Sequence, residues 1–508
     1  MLLEIHAHSS KYSKCSQVDP VTLVRQAQDK GVQGIVITEH KYKWSEDEIR
    51  ELRLKSEVEN NFLILSAQEA ETDIGHVLVY GVNDVLDKVI SIEELRKNFP
   101  DAALIWAHPF RNGKVPSEGE LKNPLLDAIE IFNVNYNAKE NYTGLSLWHR
   151  YKFTAVGGSD THSKESVAIF PTEINHPIST IEELVVEIKK GRCKPFFKEI
   201  PKSGSNITVT EITMGIKGSD EFRTRLITKK ITDDKRWEQV KNSLKIREEV
   251  YKNGFDRGKY RVPKIVDIDE KDKLIIEEGQ RGSSLFDVLG YVNDTIGMEY
   301  FKITAQWLAK LHNMKLRMSD PDDAIARERK RFTGYEEAFV KTNNPHTKYI
   351  KTVIEFLRKK EEQTLLGDKK SFVQCHGDYH PKNVIIGQDR SRDISTLFVS
   401  VIDFDSSISL PRAFDVGYFL SQFRYQFHNL QEVLEKYKEE YFIGSYAEAS
   451  DKLPEDFGEQ VKVFKLRANL SIASYLIKVG KGESRDISEI IKELRYSDKL
   501  EVSKYEKA

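Results

Sequence analysis

Cysteine is scarce: Cys15, Cys193 and Cys375 are the only three in 508 residues, widely spaced and with no CxxC pair. That count gives no disulfide framework and fits a reducing cytosol. Long apolar runs are missing as well. None approaches the ~20 residues needed to cross a bilayer, so no membrane role is expected. Nor does MLLEIHAHSSKYSK carry the cationic stretch, apolar core and small-residue cleavage site of an export signal. An excess of one charge is also lacking. A formal net charge of −2 offers no general attraction to nucleic acid or to an anionic surface. Internal repeats and low-complexity tracts are absent. A cytoplasmic globular protein is expected, long enough for about two to four domains.

What is present falls into two halves. In the first, short apolar strands alternate with helical segments: LLEIHAH, VQGIVITEH, FLILSAQEAET, GHVLVYGV, AALIWAHP, DAIEIFN and FTAVGGSDTH read as strands. SIEELRKNF opens with Ser91 and Glu94 spaced as a capping box. This alternation points to a parallel α/β barrel or a doubly wound sheet. PFFKEIPKSGSN, rich in Pro, Gly and Ser, reads as a linker. Beyond it the pattern becomes strand-rich (ITVTEITM, EFRTRLITKKIT, KLIIEEG) and then helix-rich. In YIKTVIEFLRKK the residues Ile350, Val353, Ile354 and Leu357 follow helical spacing.

Eight of the thirteen histidines precede residue 177, and six of them stand at strand ends. In parallel α/β folds those ends are where sites are built. His6 and His8 are two apart on a strand and so share a face, as do Asp160 and His162. Glu69 supplies a carboxylate able to bridge two ions. Such a mixed His, Asp and Glu set suits zinc, manganese or iron rather than calcium, and two such ions side by side hold phosphate and activate water.

The stretches HAH, ITEH (37–40), QEAETDIGH (68–76), AHPF (107–110) and GGSDTH (157–162) occur in an order and spacing that resemble the PHP family, the polymerase and histidinol phosphatase domain. The resemblance covers residues 1–197. It implies a distorted (βα)7 barrel that hydrolyses phosphoesters with two or three divalent metals. The ligands it implies are His6, His8, His40, Glu69, His108, Asp160 and His162, with His76 beside the metals or binding phosphate. Where many members have an acid or histidine soon after HxH, this chain has Lys14 and Cys15. That departure puts the third metal in doubt.

The second half carries HGDYHPKNV (376–384) and, further on, the apolar strand FVSVI leading to Asp403. Phosphoryl transfer from ATP needs a carboxylate to orient the acceptor and oxygen ligands for Mg²⁺. Asp378 fits the first role, Asn383 and Asp403 the second. His376 and His380 read as organisers of the loop. Upstream, TMGIKGSDEFRTRLITKKIT suggests a strand–loop–strand over phosphates, with Gly215, Gly218 and Ser219 at the bend. Lys229 or Lys230 would meet the ATP phosphates. Lys229 is preferred because a β-branched residue precedes it, with Glu238 as its carboxylate partner. KLIIEEG, WLAKLHN (307–313), HGDYHPKN, VIDFDSS and RAFDVGYFL, the last with Asp415, resemble the aminoglycoside phosphotransferase and choline kinase family over residues 206–430. That resemblance implies a bilobal, protein-kinase-like fold, ATP with Mg²⁺, and a small-molecule hydroxyl acceptor.

The expected architecture is therefore α/β plus α+β. A phosphoesterase barrel spans 1–197, a linker 198–205, and a kinase domain 206–500 divided near residue 280 into a smaller and a larger lobe. The expected function is bifunctional, a metal-dependent phosphoesterase fused to an ATP-dependent small-molecule kinase; that both serve one pathway is motivated by the fusion alone. Other readings stay open. One is a nuclease or phosphatase acting on nucleic-acid ends with a nucleoside or 5′-hydroxyl kinase, disfavoured by the near-neutral charge. A second makes one half a non-catalytic regulatory module. Antibiotic modification is a third.

Overall fold

The computed structural model describes every residue except 205, 217–222, 368, 391–392, 483 and 499–508, with backbone alone at 485, 486, 493 and 495–498. The chain forms two compact units, Met1–Ile231 with Val266–Gly279, and Thr232–Ile265 with Gln280–Ala508. Among the described residues no helix is long and apolar enough to cross a membrane.

The first unit opens with strands β1 (Leu2–Ala7), β2 (Gly34–His40), β3 (Leu63–Thr72), β4 (Gly75–Tyr80), β5 (Ala103–Trp106), β6 (Ala128–Phe132), β7 (Ala155–Gly157), β8 (Thr172–Ile174) and β9 (Cys193–Pro195). They make one nine-stranded sheet in the order β7-β6-β5-β4-β3-β2-β1-β8-β9. Its far edge curls back on itself. The Thr172 hydroxyl in β8 accepts from Gly157 N (3.0 Å) and donates to Gly157 O (2.7 Å) in β7, so the sheet is nearly a barrel.

A wholly parallel sheet does not form. β4 runs antiparallel to both β3 and β5, and β8 antiparallel to β1 and β9. The cause is local: only Asp73 and Ile74 separate β3 from β4, too few for the crossover that parallel strands require. The surrounding helices start on side-chain caps. Asp19, Ser45, Ser91 and Asn137 each accept from the first-turn N–H groups of the helix that follows.

The segment 198–205, expected as a linker, is largely strand. β10 (Phe197–Ser203) pairs with β11 (Ile207–Met214) from Phe197↔Met214 to Ser203↔Thr208. β11 pairs in turn with β12 (Thr224–Ile231). Pro201 has no N–H to give, so it is tolerated because β10 is an edge strand. After β13 (Tyr260–Arg261), the strands β14 (Ile265–Asp269) and β15 (Leu274–Glu278) complete a five-stranded sheet, β10-β11-β12-β15-β14. Its apolar residues Ile212, Met214, Leu226 and Ile276 share a core with Phe132, Ile169 and Phe170. The region 206–280, expected as one lobe, thus divides: its sheet lies in the first unit, while the helix Asp234–Val250 and β13 lie in the second.

The second unit holds β16 (Ser283–Ser284), β17 (Val373–Cys375), β18 (Val384–Gln388), β19 (Leu397–Val401) and β20 (Ile408–Leu410), in the small sheets β13-β19-β18-β16 and β17-β20. Helices supply most of its core, which is centred on Trp307, Tyr379, Phe404 and Phe419. The helix Thr347–Gly367 buries Ile350, Val353, Ile354 and Leu357, the four residues whose spacing marked it.

Candidate metal centre and catalytic loop

Period two in β1 turns His6 and His8 to one face, and both rings are fully buried. His8 Nε2 lies 3.0 Å from Glu69 Oε2 and 3.3 Å from Asp160 Oδ1, with His6 Nε2 3.2 Å away. The other oxygen of Glu69 faces a second group: Oε1 is 2.8 Å from His76 Nδ1 and 3.0 Å from His108 Nε2. Ligand atoms of His6, His8, Glu69 and Asp160 all fall within 4.8 Å of one another, as do those of Glu69, His76 and His108. One carboxylate shared by two donor groups fits two neighbouring divalent cations. His76, expected to stand beside the metals or bind phosphate, joins the second donor group.

His40 and His162 border these groups without belonging to either. His40 Nδ1 is 3.4 Å from Glu69 Oε2, and its ring stacks on His8 at 4.5 Å. His162 Nδ1 is 2.7 Å from the Asp160 carbonyl oxygen. Cys15 is in neither donor group. Desolvation, with the carboxylates of Asp160, Glu69 and Glu39 nearby, pushes its thiol up. A cavity of about 190 Å³, lined by His40, His76, Lys41 and Lys88, opens over Glu69.

The electrostatics suit a cation. Burial alone would disfavour a charged His6, yet Glu130, Asp160 and Glu69 outweigh it and raise the imidazole well above its usual range. His8 is pushed up to about 9 by hydrogen bonds to Asp160 and Glu69 that overcome its burial. Despite burial, Glu69 and Asp160 are held well below the usual carboxylate range, chiefly by His6. Buried carboxylates that stay ionised require positive charge beside them.

Sequence reasoning missed three supporting residues. Glu130 Oε1 lies 2.8 Å from His6 Nδ1, and its Oε2 accepts from the His108 backbone N–H (2.8 Å) and from Asn133 Nδ2 (3.0 Å). It therefore fixes the tautomer that leaves His6 Nε2 free for a metal. Arg111 Nη2 and Asn135 Nδ2 both donate to Asp160 Oδ2. Glu130 did leave a trace, as the lone acid inside the apolar strand AIEIF. The contact is tight, since a Cβ at Gly158 would come within 2.1 Å of Glu130 Oε1. Glu130→Gln is expected to weaken metal affinity by about 10–100-fold, as read by titrating the metal-stripped protein.

In the second unit, HGDYHPKNV forms the turn between β17 and β18. Gly377 has φ +82°, and a Cβ there would lie 2.1 Å from Ser406 O. The backbone N–H groups of His376 and Gly377 both donate to the buried Asp415, at 2.6 and 2.9 Å. Asp415 is also 3.2 Å from His312 Nε2. His312, Cys375 and Asp415 cluster closely enough to resemble a metal site, but these bonds to the loop backbone give Asp415 a structural task.

Asp378 sits on the formed loop. Its Oδ1 accepts from Tyr418 OH (2.6 Å), and its backbone oxygen accepts from Asn383 Nδ2 (3.0 Å). Ile402 N donates to Asn383 O (3.0 Å), tying the loop to the residue before Asp403, whose φ of 67° is left-handed. His376 packs on Phe404 with ring centroids 4.7 Å apart and lies 3.0 Å from Ile402 O. Burial lowers the His380 imidazole despite Asp378 nearby. Neither histidine assembles a zinc donor set among the described residues.

Of the two lysines in β12, Lys229 is the inward one. Its Nζ lies 3.2 Å from Glu277 Oε1 in β15, whereas Lys230 is exposed. Glu238, expected as the partner of Lys229, pairs with Lys241 on its own helix. Gly215 has φ +91°, and its missing Cβ would meet Ile169 O at 2.9 Å, so packing against the sheet by itself requires glycine there. Gly218 and Ser219 lie outside the described residues. Lys229→Met is expected to lower kcat/KM for ATP about tenfold or more, in line with a lost charge-assisted hydrogen bond. Lys230→Met should leave it within about twofold. Steady-state kinetics with varied ATP checks both.

Residues 218–451 match the phosphotransferase enzyme family, and residues 138–193, which include Asp160 and His162, match a PHP-associated family. Among solved structures, an ethanolamine kinase of Plasmodium vivax is 15% identical, with 59% of this chain and 82% of that one covered and a TM-score of 0.40. A choline kinase of Streptococcus pneumoniae is 14% identical, with 59% and 93% covered and a TM-score of 0.38. The chain matches none of the curated proteins. The similarity to the phosphotransferase enzyme family thus covers the stretch that includes Asp378, Asn383 and Asp403.

Proposed function

We propose that the chain is a bifunctional phosphate enzyme, with a metal-dependent phosphoesterase centre at Glu69 and an ATP-dependent kinase centre at Asp378. The observation that carries the first half is the single carboxylate of Glu69, whose two oxygens face two separate donor groups. His6, His8, Asp160 and Glu69 would hold one divalent zinc, manganese or iron, and Glu69, His76 and His108 a second. Bound there, such ions supply Lewis acidity toward phosphate oxygen and activation of water. The protein's own part is orientation: Glu130 sets the His6 ring, and Arg111 with Asn135 aims Asp160. Lys41 and Lys88 line the cavity beside Glu69, together with Glu71 and Asp87, and would offer their ammonium groups to a phosphoester there.

In the kinase half the family match supports transfer from ATP to a hydroxyl on a small molecule. Asp378 would accept the proton of that hydroxyl. Burial keeps Tyr418 protonated by raising its phenol far above the usual range, so it donates to Asp378 Oδ1, while Oδ2 lies 3.4 Å from Asn383 Nδ2. Asn383 spends its amide N–H on the loop, which leaves its oxygen, with the Asp403 carboxylate, to hold the Mg²⁺ that accompanies ATP. The test is a paired screen on the full chain, phosphate release from mono- and diesters with Mn²⁺ and ATP consumption with a panel of alcohols. Failure of every ester at every metal tried sinks the first half, and ATP turnover independent of any alcohol sinks the second.

A further inference from the structure

Two further buried groups stand beside the metal centre and belong to neither donor group: Glu39, in β2 next to His40, and Ser13, in the loop after β1. Ser13 Oγ donates to Glu39 Oε2, lies 3.4 Å from His8 Nδ1, and accepts from the His40 backbone N–H at 3.2 Å. Glu39 meets donors on both of its oxygens. Ser9 N lies 3.3 and 3.2 Å from the two, and the Ser9 hydroxyl and Trp44 Nε1 (3.1 Å) reach Oε1.

A serine hydroxyl has one proton to give and two lone pairs to accept with. The N–H groups of Ser9 and Trp44 can only donate, so Glu39 is the acceptor of this cluster and draws the Ser13 proton to itself. The His40 N–H takes one lone pair of Ser13 Oγ. The other lone pair faces His8, and an imidazole can meet it only with a proton on Nδ1. A neutral ring protonated there keeps its lone pair on Nε2. That atom is the one 3.0 Å from Glu69 and 3.3 Å from Asp160.

We propose that Ser13 and Glu39 are positioning residues of the metal centre, a hydroxyl braced on a carboxylate that fixes His8 with Nε2 free for a metal. The proposal rests on the two-ion reading of Glu69 given above, and it assigns the brace to the first donor group alone. The loop 9–16 supplies no member of either donor group. It is instead fastened to the residue it serves: Ser16 Oγ donates to His8 O (2.9 Å), and Ser13 N donates to Ser9 O (3.1 Å). His8 and the His40 backbone therefore share one hydroxyl, and a change at Ser13 reaches both strands that carry them.

Calorimetric titration of the metal-stripped full chain with Mn²⁺ tests this on Ser13→Ala and Glu39→Gln, with thermal unfolding to show that each variant folds. The wild type should take up about two ions, and Asp160→Ala marks which binding step belongs to the first donor group. In Ser13→Ala that step should weaken about 10–100-fold and the other should stay within about threefold. Glu39→Gln should weaken the same step alone. The double variant should lose no more than the worse single one, because both residues act through one ring. Equal weakening of both steps would mark a general structural role, and two undiminished steps would show that neither residue positions His8; either result overturns the proposal. A wild type that binds no Mn²⁺ overturns the two-ion reading, and the proposal with it.

Discussion

Asp378→Asn is expected to lower ATP-dependent transfer by about 10²–10⁴-fold, the usual contribution of a positioned general base, and to leave phosphoester hydrolysis within about twofold. Asparagine keeps the size of the side chain and a carbonyl oxygen able to accept from Tyr418, whose OH lies 2.6 Å from Asp378 Oδ1. The loop should keep its shape as well, because the backbone N–H groups of His376 and Gly377 are fixed by Asp415 and not by Asp378. What is lost is the ability to take a proton. The measurement is ATP consumption with the best alcohol, beside phosphate release from the best ester in the same preparation. A parallel fall in hydrolysis with the fold intact would contradict two independent centres.

Asp160→Ala should give the mirror result, with hydrolysis reduced about 10³-fold or more and transfer within about twofold. Asp160 Oδ1 lies 3.3 Å from His8 Nε2 and 3.6 Å from His6 Nε2. Removing it takes a ligand and a negative charge from the first donor group, and leaves Arg111 and Asn135 without the carboxylate they hold. A metal site that loses one of four donors loses both affinity and the geometry in which phosphate and water are brought together. Phosphate release across a manganese series separates the two effects. If excess metal restores the rate, affinity was the loss. If it does not, geometry was.

The grouping of His6, His8, Glu69 and Asp160 was legible because each sits in a short motif in or near the end of a strand. His6-x-His8 needs only the period of two to share a face, whereas Asp160 and His162 lie beyond β7, with Asp160 at φ +44°, and of the two Asp160 alone joins the donor group. Glu130 and Arg111 were harder. Their work is to hold ligands, and neither stands in a cluster of like residues. The place of His76 beside Glu69 was implied by the family resemblance alone, because it depends on the β3–β4 hairpin, which pairs Glu71 with His76. β10 was misread because Pro201 and Gly204 signal a break, whereas an edge strand tolerates proline. The phosphate-loop reading of Gly215 was incomplete for a similar reason. A glycine demanded by close packing on Ile169 looks, in sequence, like one that makes room for a ligand.

The central claim is that the histidine-rich centre at Glu69 binds metal and the histidine-bearing loop at Asp378 does not do so by itself. Metal analysis of the intact protein, loaded with Mn²⁺ and desalted without ATP, tests it most directly. The account expects about two ions per chain in the wild type and in Asp378→Asn, and at least one fewer in Asp160→Ala. Retention of both ions in Asp160→Ala, or their loss in Asp378→Asn, would contradict it.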